Sequence, residues 1–185
     1  MTTSIPPLSA NFAFLEEYDP LFVQITTTAE QVFASDPNTT LMKLRQFGEV
    51  LAQNIAVRLN ISLEDNPSQQ ELLYRLDREL QLDPAIRQLF HTLRIEGNKA
   101  THQFQTKHRE AMDALRIARA LAIWFHQTFG NAVSGFNPGP FTAPHDPSTQ
   151  LTQSQLAIEK LKQTLLATNQ KLESSEGKVY FCDDG

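Results

Sequence analysis

The sequence predicts an all-α protein: a helical bundle over residues 9–130, a Pro/Gly-rich segment, and then a helix of coiled-coil character. Three observations carry this. An Asp-Pro pair opens an apolar stretch three times, at Asp19-Pro20, Asp36-Pro37 and Asp83-Pro84. Aspartate accepts a hydrogen bond from a free N–H of the first helical turn, and proline fits there because no N–H is missed. Apolar residues between these starts recur at spacings of three and four, the helical period, and no stretch alternates long enough to argue for a sheet. After the Pro-rich segment, Leu151, Ile158, Leu165 and Leu172 recur every seven residues, the repeat of a coiled-coil seam.

Each element follows in order. Residues 1–10 read as a loose lead-in, and N-F-A-F-L at 11–15 offers three large apolar residues to cap the core as a short helix. A helix from Pro20 to about Phe33 is expected to bury Leu21, Ile25 and Val32 or close neighbours. The next, over 37–59, carries a stripe of Leu41, Leu44, Gly48, Leu51, Ile55 and Leu59. Ser68-Gln-Gln-Glu71 has the form of a capping box, so a shorter helix starts there and presents Leu72, Leu73, Leu76 and Leu80. The helix after Asp83-Pro84 has an apolar side of Ile86, Leu89, Phe90, Leu93 and Phe104. The last bundle helix runs from about His108 to Phe129. Its Leu115, Leu121, Trp124 and Phe125 are expected to be largely buried against the helix carrying Leu44, Leu51 and Ile55. Gly130 supplies a natural end.

Residues 131–149 read as a linker with little to bury, since they hold Pro138, Pro140, Pro144, Pro147, Gly135 and Gly139. The coiled-coil-like helix is expected over 150–173. Its seam is weak: Leu161 sits at a d-like position, but Ser154 and Thr168 occupy the others. Residues 174–185 stop the pattern without a cap and read as a frayed or truncated tail.

The polar residues that stand out lie at 91–103, in the run H-T-L-R-I-E-G-N-K-A-T-H-Q. Arg94, Asn98 and His102 recur every fourth residue. A helix turns about 100° per residue, so each step advances the side chain by roughly 40° and the three groups form a slanting row. Two readings are open. The row is a seam of hydrogen-bonded polar groups between helices, or it is a site in which the guanidinium, amide and imidazole meet a ligand. Gly97 sits beside the row. Glycine inside a helix costs about 1 kcal/mol against alanine, and its presence there suits a close approach by another backbone or a ligand.

Charge adds to this. The chain has 185 residues, enough for one domain with a real core plus an appendage, and a formal charge of −5. Residues 85–119 nevertheless hold seven Lys/Arg against three Asp/Glu, which leaves −9 on the remainder. Lys99, Lys107 and Arg109 are therefore candidate phosphate contacts. The same cations could equally form one half of an internal salt-bridge set.

Several chemistries are absent. There is no G-x-x-x-x-G-K-[ST] phosphate loop, no H-E-x-x-H and no G-x-S-x-G elbow. The five histidines, His91, His102, His108, His126 and His145, include no i,i+4 pair, so neither a metal nor a cofactor is expected. The single cysteine, Cys182, excludes a disulfide within one chain and a thiolate metal site. No basic-then-apolar leader is visible, and the longest apolar run, 120–125, is far too short for a bilayer. A cytoplasmic protein with no membrane partner is expected.

The runs S-A-N-F-A-F-L, D-P-N-T-T-L-M-K-L-R-Q-F-G-E-V-L-A, F-H-T-L-R-I-E-G-N-K-A-T-H, A-L-R-I-A-R-A-L-A-I-W-F-H-Q-T-F-G and P-G-P-F together resemble one known module, over about residues 9–141. It is similar to the helical domain of unknown function at the N-terminus of many type I restriction endonuclease R subunits. In those subunits a coiled-coil stretch, a nuclease domain and a helicase-type ATPase follow. The heptads at 151–172 match the coiled-coil start, whereas nuclease and ATPase motifs are absent. The resemblance therefore implies an N-terminal fragment or a short relict product, with the methylase and specificity subunits of a restriction complex as partners.

The module also resembles the wider HEPN superfamily of helical bundles, many of which are metal-independent RNases with an R-x(4–6)-H motif. Here seven residues separate Arg94 from His102, a departure from that spacing, while Asn98 matches the G-N-x-x-x-H form of the restriction-associated branch. Two functions follow. The first is a non-catalytic interaction module of an R subunit that aids assembly or contacts nucleic-acid phosphates. The second is a HEPN-type RNase acting as a homodimer. In it His102 is the general base on a ribose 2′-OH, Arg94 stabilises charge on the phosphorane, and Asn98 orients one of them. RNA and DNA both remain open as ligands.

Overall fold

The computed structural model describes residues 9–61, 67–102, 106–130 and 135–176, with the backbone alone at 148–152 and 172–176. The described residues are all helical in their regular structure. A short 3-10 turn, Ala13–Leu15, is followed by α1 (Pro20–Val32), α2 (Pro37–Arg58), α3 (Gln69–Leu80), α4 (Pro84–His102), α5 (His108–Phe129) and α6 (Pro147–Glu176). Phe104, Gln103 and Cys182 lie outside the described residues.

The starts form by the chemistry their sequences contain. Asp19 accepts from the Leu21 N–H at 2.9 Å, Asp36 from the Thr39 N–H at 2.9 Å, and Asp83 from the Ala85 N–H at 2.7 Å. Asp36 also accepts from the Thr39 hydroxyl at 2.6 Å, and that bond, with those from the backbone, holds its carboxyl below the usual carboxylate range. At α3 the Ser68 hydroxyl accepts from the Glu71 N–H at 3.2 Å, while the Glu71 carboxylate is taken by Arg75 at 2.8 Å.

The chain divides into two compact units, residues 1–145 and 146–185. In the first, α1, α3, α4 and α5 all pack on α2. Leu44, Phe47, Leu51 and Ile55 of α2 have no exposed surface. Phe47 meets Phe12 and Phe22 edge-on at 6.0 Å, and Phe22 meets Phe125 at 5.8 Å, the geometry that aromatic quadrupoles favour. Leu115, Leu121 and Phe125 of α5 are fully enclosed.

Details of the core differ from the expectation. Leu21 is 41% exposed and Val32 only half-buried, because α1 turns its Phe22, Val23, Ile25 and Ala29 inward instead. Trp124 is half-buried at the margin of the core, edge-on to Phe90 at 6.2 Å and to Phe129 at 6.0 Å. Gly130 has φ −76°, so no left-handed turn calls for glycine there. Room does: a Cβ would run into the Tyr18 hydroxyl and the His126 carbonyl.

The Pro/Gly-rich segment has no helix before Pro147, yet its described part is strapped to the bundle. The buried Arg119 donates from Nη2 to the carbonyls of Pro138 and Gly139 at 2.5 and 2.8 Å. The Asn11 side chain pairs with both backbone groups of Thr142, at 2.7 and 2.9 Å. Phe141 packs on the core beneath Arg116. Backbone polar groups that would otherwise need water are met by two side chains far away in sequence.

In the second unit α6 starts at Pro147, three residues before the expected boundary. Its side chains at 153–171 are exposed, while Asp146 and Pro147 at its start are half-buried. Ile158, Leu161 and Leu165 lie on the heptad seam, whereas the equally exposed Leu156 and Leu166 lie off it.

Replacing Leu121 by alanine removes atoms that have no solvent contact and leaves a cavity between α2 and α5. The loss is expected to be about 2–5 kcal/mol, read as a lower urea midpoint; an unchanged midpoint would contradict the enclosed position of α5.

Candidate functional site

α4 owes its orientation to α2. Its buried residues Phe90, Leu93, Gly97 and Ala100 are spaced three, four and three apart, one face of a helix. At Gly97 the two helices come so close that a Cβ would strike the Arg45 Cβ and lie 2.9 Å from its Cδ. The glycine beside the row thus makes room for α2. Asn38, in the first turn of α2, donates from Nδ2 to the Ala100 carbonyl at 2.7 Å and accepts from the Thr106 hydroxyl at 2.7 Å. One amide therefore meets a free carbonyl of the last turn of α4 and ties down the chain that follows. The Thr101 hydroxyl adds bonds to the carbonyls of Gly97 and Asn98, both at 3.0 Å.

With that face taken, the polar row falls beside it and turns progressively outward from Arg94 to His102. Arg94 and Asn98 are half-buried and His102 is exposed. Among the described residues the side chains of Asn98 and His102 have no hydrogen-bond partner, and Arg94 makes a long contact of 3.5 Å to Nδ1 of His91. A structural seam would bury and pair all three groups; here two are half-buried, one is exposed, and Arg94 alone has a polar contact among the described residues. The row also extends further than the sequence reading took it. Arg87, His91, Arg94, Asn98 and His102 are spaced four, three, four and four, so all five share one stripe. Arg87 and His91 are legible in that spacing.

The N-terminal half of this stripe forms one wall of a cleft of about 210 Å³ between α3 and α4. α4 contributes Arg87, Phe90, His91 and Arg94; α3 contributes Gln70, Leu73, Tyr74 and Asp77; Leu82 lies between. Each set of four has the spacing i, i+3, i+4, i+7, so two helical faces meet across the cleft. Arg87 spans it, donating from Nε to Asp77 at 2.9 Å and from Nη2 to the Leu82 carbonyl at 3.3 Å. Neither Asn98 nor His102 lines this cleft, so the structure brings Arg94 into it without its two companions.

The expected phosphate contacts divide. Lys99 pairs with Glu96 at 2.7 Å, which raises its pKa. Lys107 and Arg109 are exposed at the start of α5 and, among the described residues, form no ion pair; neither lines the cleft. Within the cationic stretch, Arg87 and Arg116 hold Asp77 and Asp113, and Arg119 is spent on the strap.

A second polar cluster lies elsewhere in the bundle. The Tyr18 hydroxyl is 2.7 Å from Nδ1 of His126, which is also 3.1 Å from a Glu17 carboxylate oxygen. Phe14 and Phe136 pack on the imidazole. Burial, followed by the neighbouring Glu17, pushes the Tyr18 hydroxyl up to about 12. Its groups satisfy one another and tie the start of the chain to the end of α5. Among the described residues no group of three His, Cys, Asp or Glu side chains is placed to hold a metal ion. No described helix is long and apolar enough to cross a membrane.

Fold and site together define an all-helical bundle with a polar stripe along α4. Part of this chain is related by sequence to a subunit of a type I restriction endonuclease. It is 36% identical over 118 residues to the Type I restriction enzyme EcoKI endonuclease subunit of Escherichia coli strain K12. The match takes in 64% of this chain and 10% of that protein, so the chain corresponds to a small part of its relative. No family model and no solved structure matches the chain.

Two substitutions test how α4 is held. Gly97→Ala gains about 1 kcal/mol in helix propensity but forces α2 and α4 apart at Arg45, an overpacking cost of about 1–3 kcal/mol. A lower urea midpoint is expected, and a higher one would mean the helices separate freely. Asn38→Ala orphans the Ala100 carbonyl and the Thr106 hydroxyl at a cost of about 1–3 kcal/mol. Amide exchange should then quicken in the last turn of α4 and the first of α5 while α1 is unaffected; uniform exchange would argue against a local clamp.

Proposed function

We propose that this chain is an interaction module of a type I restriction endonuclease subunit, one that contacts nucleic-acid phosphates through the outward stripe of α4. The observation that carries this reading is the state of the stripe: a guanidinium, an amide and two imidazoles reach solvent on a rigid helix whose other face is fully engaged. The sequence relationship to the EcoKI endonuclease subunit supplies the setting. In that setting the nuclease and ATPase work belongs to the rest of the subunit, and the methylase and specificity subunits are its neighbours.

The RNase alternative needs Arg94 and His102 at one scissile phosphate. Eight residues of helix separate them by about 12 Å, and Arg94 turns toward His91 and the cleft between α3 and α4. That geometry favours successive contacts along a strand over joint action at one phosphorus. An active RNase would need a second copy to complete its site.

Anisotropy titrations of labelled single strands and duplexes at several salt concentrations test the proposal. Affinity should fall steeply with salt, since each neutralised phosphate releases counterions. Arg94→Ala and His102→Ala should each weaken binding severalfold with unchanged melting, and Arg94→Ala should lower the salt slope by about one. A parent protein that binds no nucleic acid would sink the reading, as would variants that lose stability instead of affinity. Strand cleavage without added metal, lost in His102→Ala, would instead establish the RNase.

A further inference from the structure

The cleft between α3 and α4 has the size, walls and charge of a receptor for one planar ring carrying an anion. An apolar cavity of roughly 150 Å³ takes up a benzene ring, so a cleft of about 210 Å³ has room for a single ring system. Leu73, Leu82 and Phe90 supply an apolar floor. Tyr74 stands on its rim with 63% of its surface exposed, an unusual amount for a large ring lining a cleft. Gln70 and His91 offer donors and acceptors at the edge.

Charge selects among planar ligands. Among the described residues the only carboxylate in the lining, Asp77, is already held by Arg87. Arg94 faces no carboxylate among the described residues, its nearest polar contact being the long one to His91. The cleft therefore carries an uncompensated guanidinium beside an exposed aromatic face. A nucleotide has the complementary pair, a base with two π-faces and a phosphate. A base inside a duplex is stacked on both sides and cannot enter.

We propose that this cleft binds one unpaired nucleotide, with the base stacked on Tyr74 above the Leu73–Leu82–Phe90 floor and its phosphate on Arg94. This rests on the nucleic-acid reading of the α4 stripe and deepens it: Asn98 and His102 continue the path of the backbone, and the ligand is single-stranded. No covalent step is involved.

The test uses the 185-residue chain and three variants, Tyr74→Ala, Tyr74→Phe and Arg94→Ala. The probes are a labelled 12-nucleotide single strand, as DNA and as RNA, and a duplex of the same length. The parent should bind the single strand more tightly than the duplex. Base–aromatic stacks lose about 5- to 150-fold on alanine substitution, so Tyr74→Ala should weaken single-strand binding within that range and leave any duplex binding within about twofold. Tyr74→Phe keeps the ring and should keep the affinity. Tyr74 is exposed, so these changes should not move the melt.

Adding an unlabelled mononucleotide separates two sources of one chemistry: displacement at low concentration assigns a free nucleotide, and failure to displace assigns a strand, both keeping the cleft. Binding of nucleic acid that ignores Tyr74 would overturn the cleft while leaving the α4 stripe in place. Absence of any nucleic-acid binding would overturn both. Capture of an acidic, tryptophan-bearing peptide with no affinity for single strands would overturn the nucleotide and make the cleft a protein contact.

Discussion

The approach of α4 to α2 at Gly97 is the constraint on which the rest of the site depends. With no side chain at that position, the Arg45 stem occupies the space a Cβ would need. Two helices so close can rotate little about their own axes without collision. Leu93 and Ala100 are then held at α2, Phe90 lies against Trp124 of α5 and the cleft, and the polar stripe beside them turns outward. A helix of the same sequence held by a looser contact could roll and share its polar groups with neighbours.

Smaller devices keep that arrangement in place. Asn38 uses both ends of one amide to hold the last turn of α4 and the chain beyond it. Arg87 closes the other end of the cleft by pinning Asp77 of α3. Arg119 and Asn11 hold a proline-rich strap against the bundle. At Asn38, Asn11 and Arg119 a polar group that burial would penalise gains a partner, so these bonds fix geometry more than they add stability; the Arg87–Asp77 pair is exposed. The cost of leaving any of them unmade is what makes the arrangement specific.

The outward face is polar but not strongly charged. Several cations of the basic stretch are neutralised within the domain, while Arg94, Lys107 and Arg109 form no ion pair among the described residues. A ligand drawn to this face meets one free guanidinium, two imidazoles, an amide and an aromatic rim. In the proposed reading these local contacts, and not the net charge of −5, hold the nucleotide.

Much of the fold was legible because its signals are local. Three Asp-Pro starts and a serine cap are decided within four residues by hydrogen bonds to free N–H groups, and the helix starts lie where those pairs stand. The helical period of Leu41, Leu44, Leu51 and Ile55 shows a buried stripe without any partner in view. The regularity of Arg94, Asn98 and His102 likewise showed a row. What lies across from a helix is not local. That Phe22 rather than Leu21 faces inward, that Gly97 meets Arg45, that Asn38 reaches Ala100 and that residues 135–145 are strapped down all depend on contacts between distant segments. The cleft belongs to this second class. Its two walls are ordinary stripes in the sequence, on α3 and on α4, and only packing both helices with α2 turns them toward each other.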